Sequence, residues 1–263
     1  HNRRHTRPQT LAMMAELADR AAEPKLALQT WQRLFDEAAE ATPPRLIKAA
    51  TLAMLQGDNA LALHWLAQAQ DKNAPDDEDT REILRLTGQL AILDQRDDMA
   101  IRAFTKLSQS EQPAVADFDA LIRLLTAPHP NEAARVASRA WERFGQTRHL
   151  IQGLNLYAAE QRWDAIGALL GRLSPDAKPP YNTLPALRRL PDFLRLSSAY
   201  YQNTGRLPEA RLDLNAALAL APGSNELQTT MLWLLIDSND APSLRRLLAS
   251  REPVWRNDPS MHD

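Results

Sequence analysis

Apolar residues along this chain do not alternate with polar ones. No stretch bounded by turn residues has the alternation that a half-buried strand requires, so essentially no sheet is expected. Instead a small residue recurs with a large apolar one four positions later, on the same face of a helix. The clearest pairs are Ala27 with Trp31, Ala62 with Leu66, Ala100 with Phe104 and Ala210 with Leu214. Ala133, Ile166 and Leu244 extend the series, and successive separations are 35, 38, 33, 33, 44 and 34 residues. This period predicts about seven helix-turn-helix repeats, tiling residues 8 to about 258.

Each recurring residue has a physical reason, clearest in "NTGRLPEARLDLNAALALAPGSN", residues 203–225. Gly205, like Gly57 earlier, is expected to end the first helix of its unit in a left-handed conformation that costs other residues more. Asp58 and Asn59 are placed to cap the helix that follows. The small residues let the two helices of a unit approach closely. Pro222, Pro75 and Pro113 stop second helices. The acidic "PDDEDT", residues 75–80, reads as a solvated loop that caps the next helix. "SPDAKPPYNTLPALRRLP", residues 174–191, breaks the register with five prolines. It divides the repeats into a block over 8–180 and a block over 191–258, and "LPALRRL" within it is expected to form one or two extra turns. The segment reads as a loose linker or, alternatively, as a protruding recognition element or a kink.

Composition narrows the function classes. Val and Ile are sparse while Ala, Leu, Arg, Gln and Glu are abundant, which favours helix. The formal charge of −2 gives no global basic field for nucleic acid or an anionic membrane. With no cysteine, disulfides, thiolate metal sites and a cysteine nucleophile are excluded. No apolar run approaches the length of a membrane span. No hydrolase elbow, zinc-protease motif, phosphate loop or dinucleotide fingerprint occurs, so no catalytic residue, cofactor or metal is assigned. His1 and His5 are spaced as metal ligands, but Arg3, Arg4 and Arg7 would repel a cation. His64, His129 and His149 are isolated and read as packing or surface residues.

These signatures resemble the tetratricopeptide repeat family over nearly the whole chain. Residues 191–224 match best, with Tyr201, Gly205, Ala210, Leu214, Ala217 and Pro222 at signature positions; residues 43–76 and 81–114 are fair matches, the latter helped by Gly88 and Phe104. Units 114–147 and 225–258 are degenerate, with Pro128, Pro130 and Pro242 in their turns. The resemblance implies an all-α, right-handed superhelical solenoid whose first helices line a concave groove. Aligned on that groove are Glu16, Asp19, Arg20, Arg85, Gln89, Asn155, Arg195, Gln202, Asn203, Trp233 and Asp237, with Phe118 and Ile122 making its middle more apolar. Of these, Arg85, Gln89, Phe118, Asn155, Arg195, Gln202, Asn203 and Trp233 are the candidate partner-binding residues. The other tryptophans, Trp31 and Trp163 among them, read as packing residues. The carboxylate clamp of chaperone adaptors is missing, because its positions hold Ala12, Ile47 and Arg85, and Glu16, Thr51 and Gln89.

The expected role is a non-catalytic protein-binding scaffold. Leu11, Met13 and Met14 open the first unit with exposed apolar surface, and "PVWRNDPSMHD" at the other end reads as a linker into another helix. Neither end shows a polar capping helix, so both are expected to continue. The stretch "ELQTTMLWLLIDSNDAPSLRRLL" with "VWRNDPSMHD" resembles the periplasmic repeat regions of bacterial exopolysaccharide exporters. That resemblance implies a periplasmic location next to an outer-membrane porin. It also implies a polysaccharide-modifying deacetylase or hydrolase as partner, with the polysaccharide itself a secondary one. A cytosolic adaptor for a helical peptide and the regulatory arm of an enzyme are the alternatives.

Overall fold

The structure, a computed structural model, describes residues 8–38, 41–72, 77–173 and 184–255. Among these residues there is no strand, and fifteen helices follow in order. They are α1 (Pro8–Arg20), α2 (Pro24–Ala38), α3 (Pro43–Leu55), α4 (Asn59–Gln70), α5 (Glu78–Leu93), α6 (Asp97–Gln109) and α7 (Val115–Leu125). Next come α8 (Pro130–Phe144), α9 (Thr147–Ala159), α10 (Trp163–Gly171), the single turn α11 (Leu184–Leu187), α12 (Pro191–Asn203), α13 (Leu207–Leu220), α14 (Asn225–Asp237) and α15 (Ala241–Trp255). The chain forms two compact units, residues 1–124 and 125–263. In the first, α1–α2, α3–α4 and α5–α6 pack as close hairpins; in the second, α8–α9 and α12–α13 pack as closely, and α9–α10 and α14–α15 touch across turns of the same kind. Within each unit a hairpin touches the hairpins before and after it.

Six hairpin turns share one construction. A residue with positive φ follows the first helix: Ala22, Gly57, Gln95, Gln161, Gly205 and Asn239, with φ between 53° and 78°. The next backbone N–H then donates to a carbonyl of the last helical turn. Arg206 donates to Tyr201 at 2.7 Å, Asp58 to Ala53 at 2.9 Å and Arg162 to Tyr157 at 2.8 Å, and Glu23, Arg96 and Asp240 do likewise. This closes the orphan carbonyls of the first helix and aims the chain back along it. Gly57 and Gly205 behave as the sequence predicts. At the other four turns a side chain occupies the left-handed region, at a cost of about 1 kcal/mol. Gln161→Gly is therefore expected to stabilise the second unit by about 0.5–1 kcal/mol, read as a higher urea midpoint at unchanged slope.

Helix starts follow from capping chemistry and proline. Asp58, Asp77, Ser224 and Asp240 each accept a hydrogen bond from the backbone N–H three residues on, at 3.1, 2.6, 3.3 and 3.0 Å. The Asp240 carboxyl, held by Ser243 and Arg211, titrates at about 2. The helices α1, α2, α3, α8 and α12 begin on proline, where the missing N–H is not needed. Pro130 and Pro242, read as departures from the repeat, sit likewise in first turns. Pro222 follows the end of α13 and Pro113 lies between α6 and α7; Pro75 falls outside the described residues. The start of "PVWRNDPSMHD", expected to be a linker, still belongs to α15, which runs to Trp255.

The core follows the repeat. Ala27, Ala62, Ala100, Ala133, Ile166 and Ala210 are buried, as are Trp31, Leu66, Phe104 and Leu214 four positions on. A Cβ on Gly88 would lie 2.7 Å from the Phe104 ring, so that ring packs directly on the bare backbone of α5. Trp65 and Trp141 are buried, and His149 is too, consistent with packing roles. Leu11, expected on the surface with Met13 and Met14, is instead buried: it faces the following helices, while the two methionines face outward. Residues 174–183 lie outside the described part, but the end of that insertion is anchored. Leu187 of α11 is buried with Tyr157, Ile166 and Phe193. Arg188 reaches Asp213 of α13 at 3.9 Å, and Ser197 Oγ donates to the same carboxylate at 2.6 Å.

Candidate functional site

By helical register, the residues aligned on the groove lie on one face of each first helix. In the second unit they connect. Arg195 Nη2 on α12 donates to Asn155 Oδ1 on α9 at 2.8 Å, and Arg195 Nε lies 3.3 Å from Glu226 Oε1 on α14. Gln202 on α12 donates to Asp237 on α14 at 2.5 Å. Three successive first helices are thus tied by one polar ladder. Trp233 lies on the Glu226–Asp237 face of α14, one turn before Asp237, and is 60% exposed. Ile236, one turn further, is exposed as well. Asn203 is exposed at the end of α12, but its amide donates to Ala199 O of its own helix at 2.8 Å.

The first unit is different. Arg85 is engaged internally: its Nε donates to Asp117 Oδ1 at 3.0 Å and its Nη2 to Oδ2 at 3.3 Å. Asp117 is 2% exposed and also accepts from the Ala114 N–H at 2.9 Å. The hydrogen bonds to Asp117 are the main reason the Arg85 guanidinium is held above its ordinary pKa. Gln89 is exposed, and Glu16 pairs at 4.0 Å with Lys48. Phe118 is 3% exposed and Ile122 is buried as well, so the apolar middle expected for the groove is core. An apolar first-helix residue faces solvent only if the packing stripe lies elsewhere, and on α7 the stripe passes through both residues.

Sequence reasoning missed other groove residues. Leu55 and Leu93 hold the same repeat position, in the last turns of α3 and α5, and both are exposed, as is Ile92. Asn59, just past the turn after Leu55, donates to Asp94, just after Leu93, at 2.8 Å, which holds the two helix ends side by side. The equivalence is readable from the repeat, but nothing in a leucine's identity marks it as exposed. Ile236 was missed for the same reason, since only its neighbours declare the exposed face.

The arrangement offers no reactive pair. Among the described residues no group of His, Asp and Glu side chains gathers as metal ligands would, and no helix is long and apolar enough to cross a membrane. What the second unit presents is an exposed indole with an aliphatic neighbour, on a face that also carries two amides, a guanidinium and two carboxylates. Such a surface suits an apolar side chain on a polar backbone.

A tetratricopeptide repeat model matches residues 33–263. No curated protein matches the chain. Among solved structures, YrrB, a TPR protein with an unusual peptide-binding site, is 16% identical, with 75% of this chain and 94% of that one covered at a TM-score of 0.45. A tetratricopeptide repeat protein from Parabacteroides merdae is 16% identical, covering 89% and 85% at 0.44. PilW, a type IV pilus biogenesis factor, is 11% identical, covering 83% and 96% at 0.47. These likenesses carry no argument about function, but the repeat register, the hairpin turns and the family match agree that the chain belongs to the tetratricopeptide repeat family.

Proposed function

We propose that the second unit is a protein-docking platform centred on Trp233. Proteins of this family are as a rule binding scaffolds, and stacked repeats present extended concave surfaces. The carrying observation is the exposed indole beside the Asn155–Arg195–Glu226 ladder and the Gln202–Asp237 bond. A large aromatic residue costs solubility when left in water, and aromatic anchors ringed by polar groups dominate interface energetics. The ladder fixes the polar rim in place before a partner arrives, which lowers the entropy lost on binding.

The partner we infer is an enzyme that modifies an exported polysaccharide. The support is the resemblance of residues 191–263 to the periplasmic repeats of exopolysaccharide exporters such as PelB, which serves the Pel polysaccharide. On that reading the chain lies in the periplasm beside an outer-membrane porin and recruits a PelA-like deacetylase or hydrolase. A formal charge of −2 is a poor track for a cationic polymer, which favours the enzyme over the polymer as partner.

Calorimetric titration of the folded chain with the deacetylase tests the proposal. Trp233→Ala is expected to weaken binding by about 2 kcal/mol, roughly thirtyfold, with the thermal midpoint unchanged because the indole is exposed. No heat of binding with the parent chain would remove the enzyme as partner. Equal affinity of parent and variant would move the docking site away from α14.

A further inference from the structure

We infer that α8 is a second docking site, where Arg135 and Arg139 hold an acidic segment of a partner protein. The buried face of this helix is broad: Ala133, Ala134, Val136, Ala137, Ala140 and Trp141 all belong to it. The positions left exposed are Glu132, Arg135, Arg139 and Arg143. The arginines recur every four residues, so they form one row along the helix. Like charges at that spacing work against a helix, so helix stability does not account for the row. The same two repeat positions of α6, in the first unit, are Arg102 and Lys106, and both are exposed.

The row also lacks counter-charge. Four carboxylates lie between Pro130 and Gly171, and three of them are engaged elsewhere. Glu142 pairs with Arg172 of α10, Glu160 accepts from the Asn131 amide at 3.2 Å, and Asp164 pairs with Arg162 at 3.1 Å. Among the described residues the guanidinium groups of Arg135 and Arg139 have no ion-pair or hydrogen-bond partner. A guanidinium binds a carboxylate through two parallel hydrogen bonds. The two arginines are about 6 Å apart along the helix, and carboxylates on alternate residues of an extended segment are about 6.5–7 Å apart. One acidic segment can therefore meet both at once. Nucleic acid fits less well, because Trp141, the tryptophan of α8, is buried and offers no base a ring to stack on. A membrane surface fits less well too, because none of the exposed residues of α8 is apolar. The site shares no residue with the Trp233 platform on α14.

Fluorescence anisotropy of a labelled peptide of alternating Glu and Ser, titrated with the chain, tests this. Binding is expected at low salt and is expected to fade as salt is raised. Arg135→Gln together with Arg139→Gln is expected to weaken it about tenfold or more. Both side chains are exposed, so circular dichroism should stay at the parent value and the urea midpoint should hold or rise. The control is Arg245→Gln with Arg246→Gln, which removes the same charge from exposed positions of α15 and is expected to change affinity less than about twofold. Absence of binding by the parent chain overturns the inference. Equal weakening by the two pairs does so as well, since net charge alone would then attract the peptide. An oligothymidylate of equal charge that binds more tightly than the peptide overturns it in favour of a nucleic-acid partner.

Discussion

Trp65→Ala is expected to lower the stability of the first unit by about 3–5 kcal/mol, the largest effect of any single truncation there. Trp65 lies on α4 and is fully buried. Its ring meets the Phe35 ring of α2 edge-on with centroids 5.5 Å apart, and Phe35 in turn stacks on Trp31 at 5.8 Å. The indole thus joins two hairpins, so its removal leaves a cavity at their shared boundary and strips an aromatic pair of its geometry. The core cluster it belongs to is rich in alanine, Ala49, Ala53 and Ala62 among them, and such short side chains cannot reach in to fill the space. Urea unfolding followed by circular dichroism measures the loss. A shift under about 1 kcal/mol would mean that the site collapses around the smaller residue and that the two hairpins do not depend on this contact.

Arg85→Ala is expected to cost about 3 kcal/mol, because it leaves the Asp117 carboxylate buried with only the Ala114 N–H to hold it. The informative comparison is the double variant Arg85→Met with Asp117→Leu. Removing both charges together is expected to cost little or to stabilise, since desolvating the pair already offsets most of its attraction. Thermal or urea midpoints of the two variants decide it. If the single and double changes prove equally harmful, then the pair itself is net stabilising and the stranded carboxylate adds nothing. Either way Arg85 acts by joining α5 to α7. Its guanidinium is spent inside the protein, and a partner would meet mainly its edge.

Most of the fold was legible because the repeat makes the same demand seven times. A small residue at Ala62 or Ala210 reports a close helix approach, and Gly57 or Gly205 reports a left-handed turn, whatever the distant residues are. Ala22, Gln95, Gln161 and Asn239 gave no such report, since their identity does not require the conformation they adopt. The same limit governs the groove. Register places Asn155, Arg195, Gln202 and Trp233 on one face, and the structure brings the first three into direct hydrogen bonds with one another or with α14. Phe118 went the other way, because on α7 the buried stripe is rotated onto the residues that register assigns to the groove. Leu55 and Leu93 show the converse, as apolar residues whose exposure depends on what their neighbours fail to cover. Polar residues on a helix face announce solvent; apolar ones announce it only through packing.

The neighbour-only contacts within each unit also fix how far a local disturbance reaches. A hairpin such as α3–α4 is held by α2 on one side and α5 on the other, so loosening it is felt first by those two helices. A ligand seated on α14 would in the same way slow the opening of α13, on which that helix is stacked, as well as occupy its own surface.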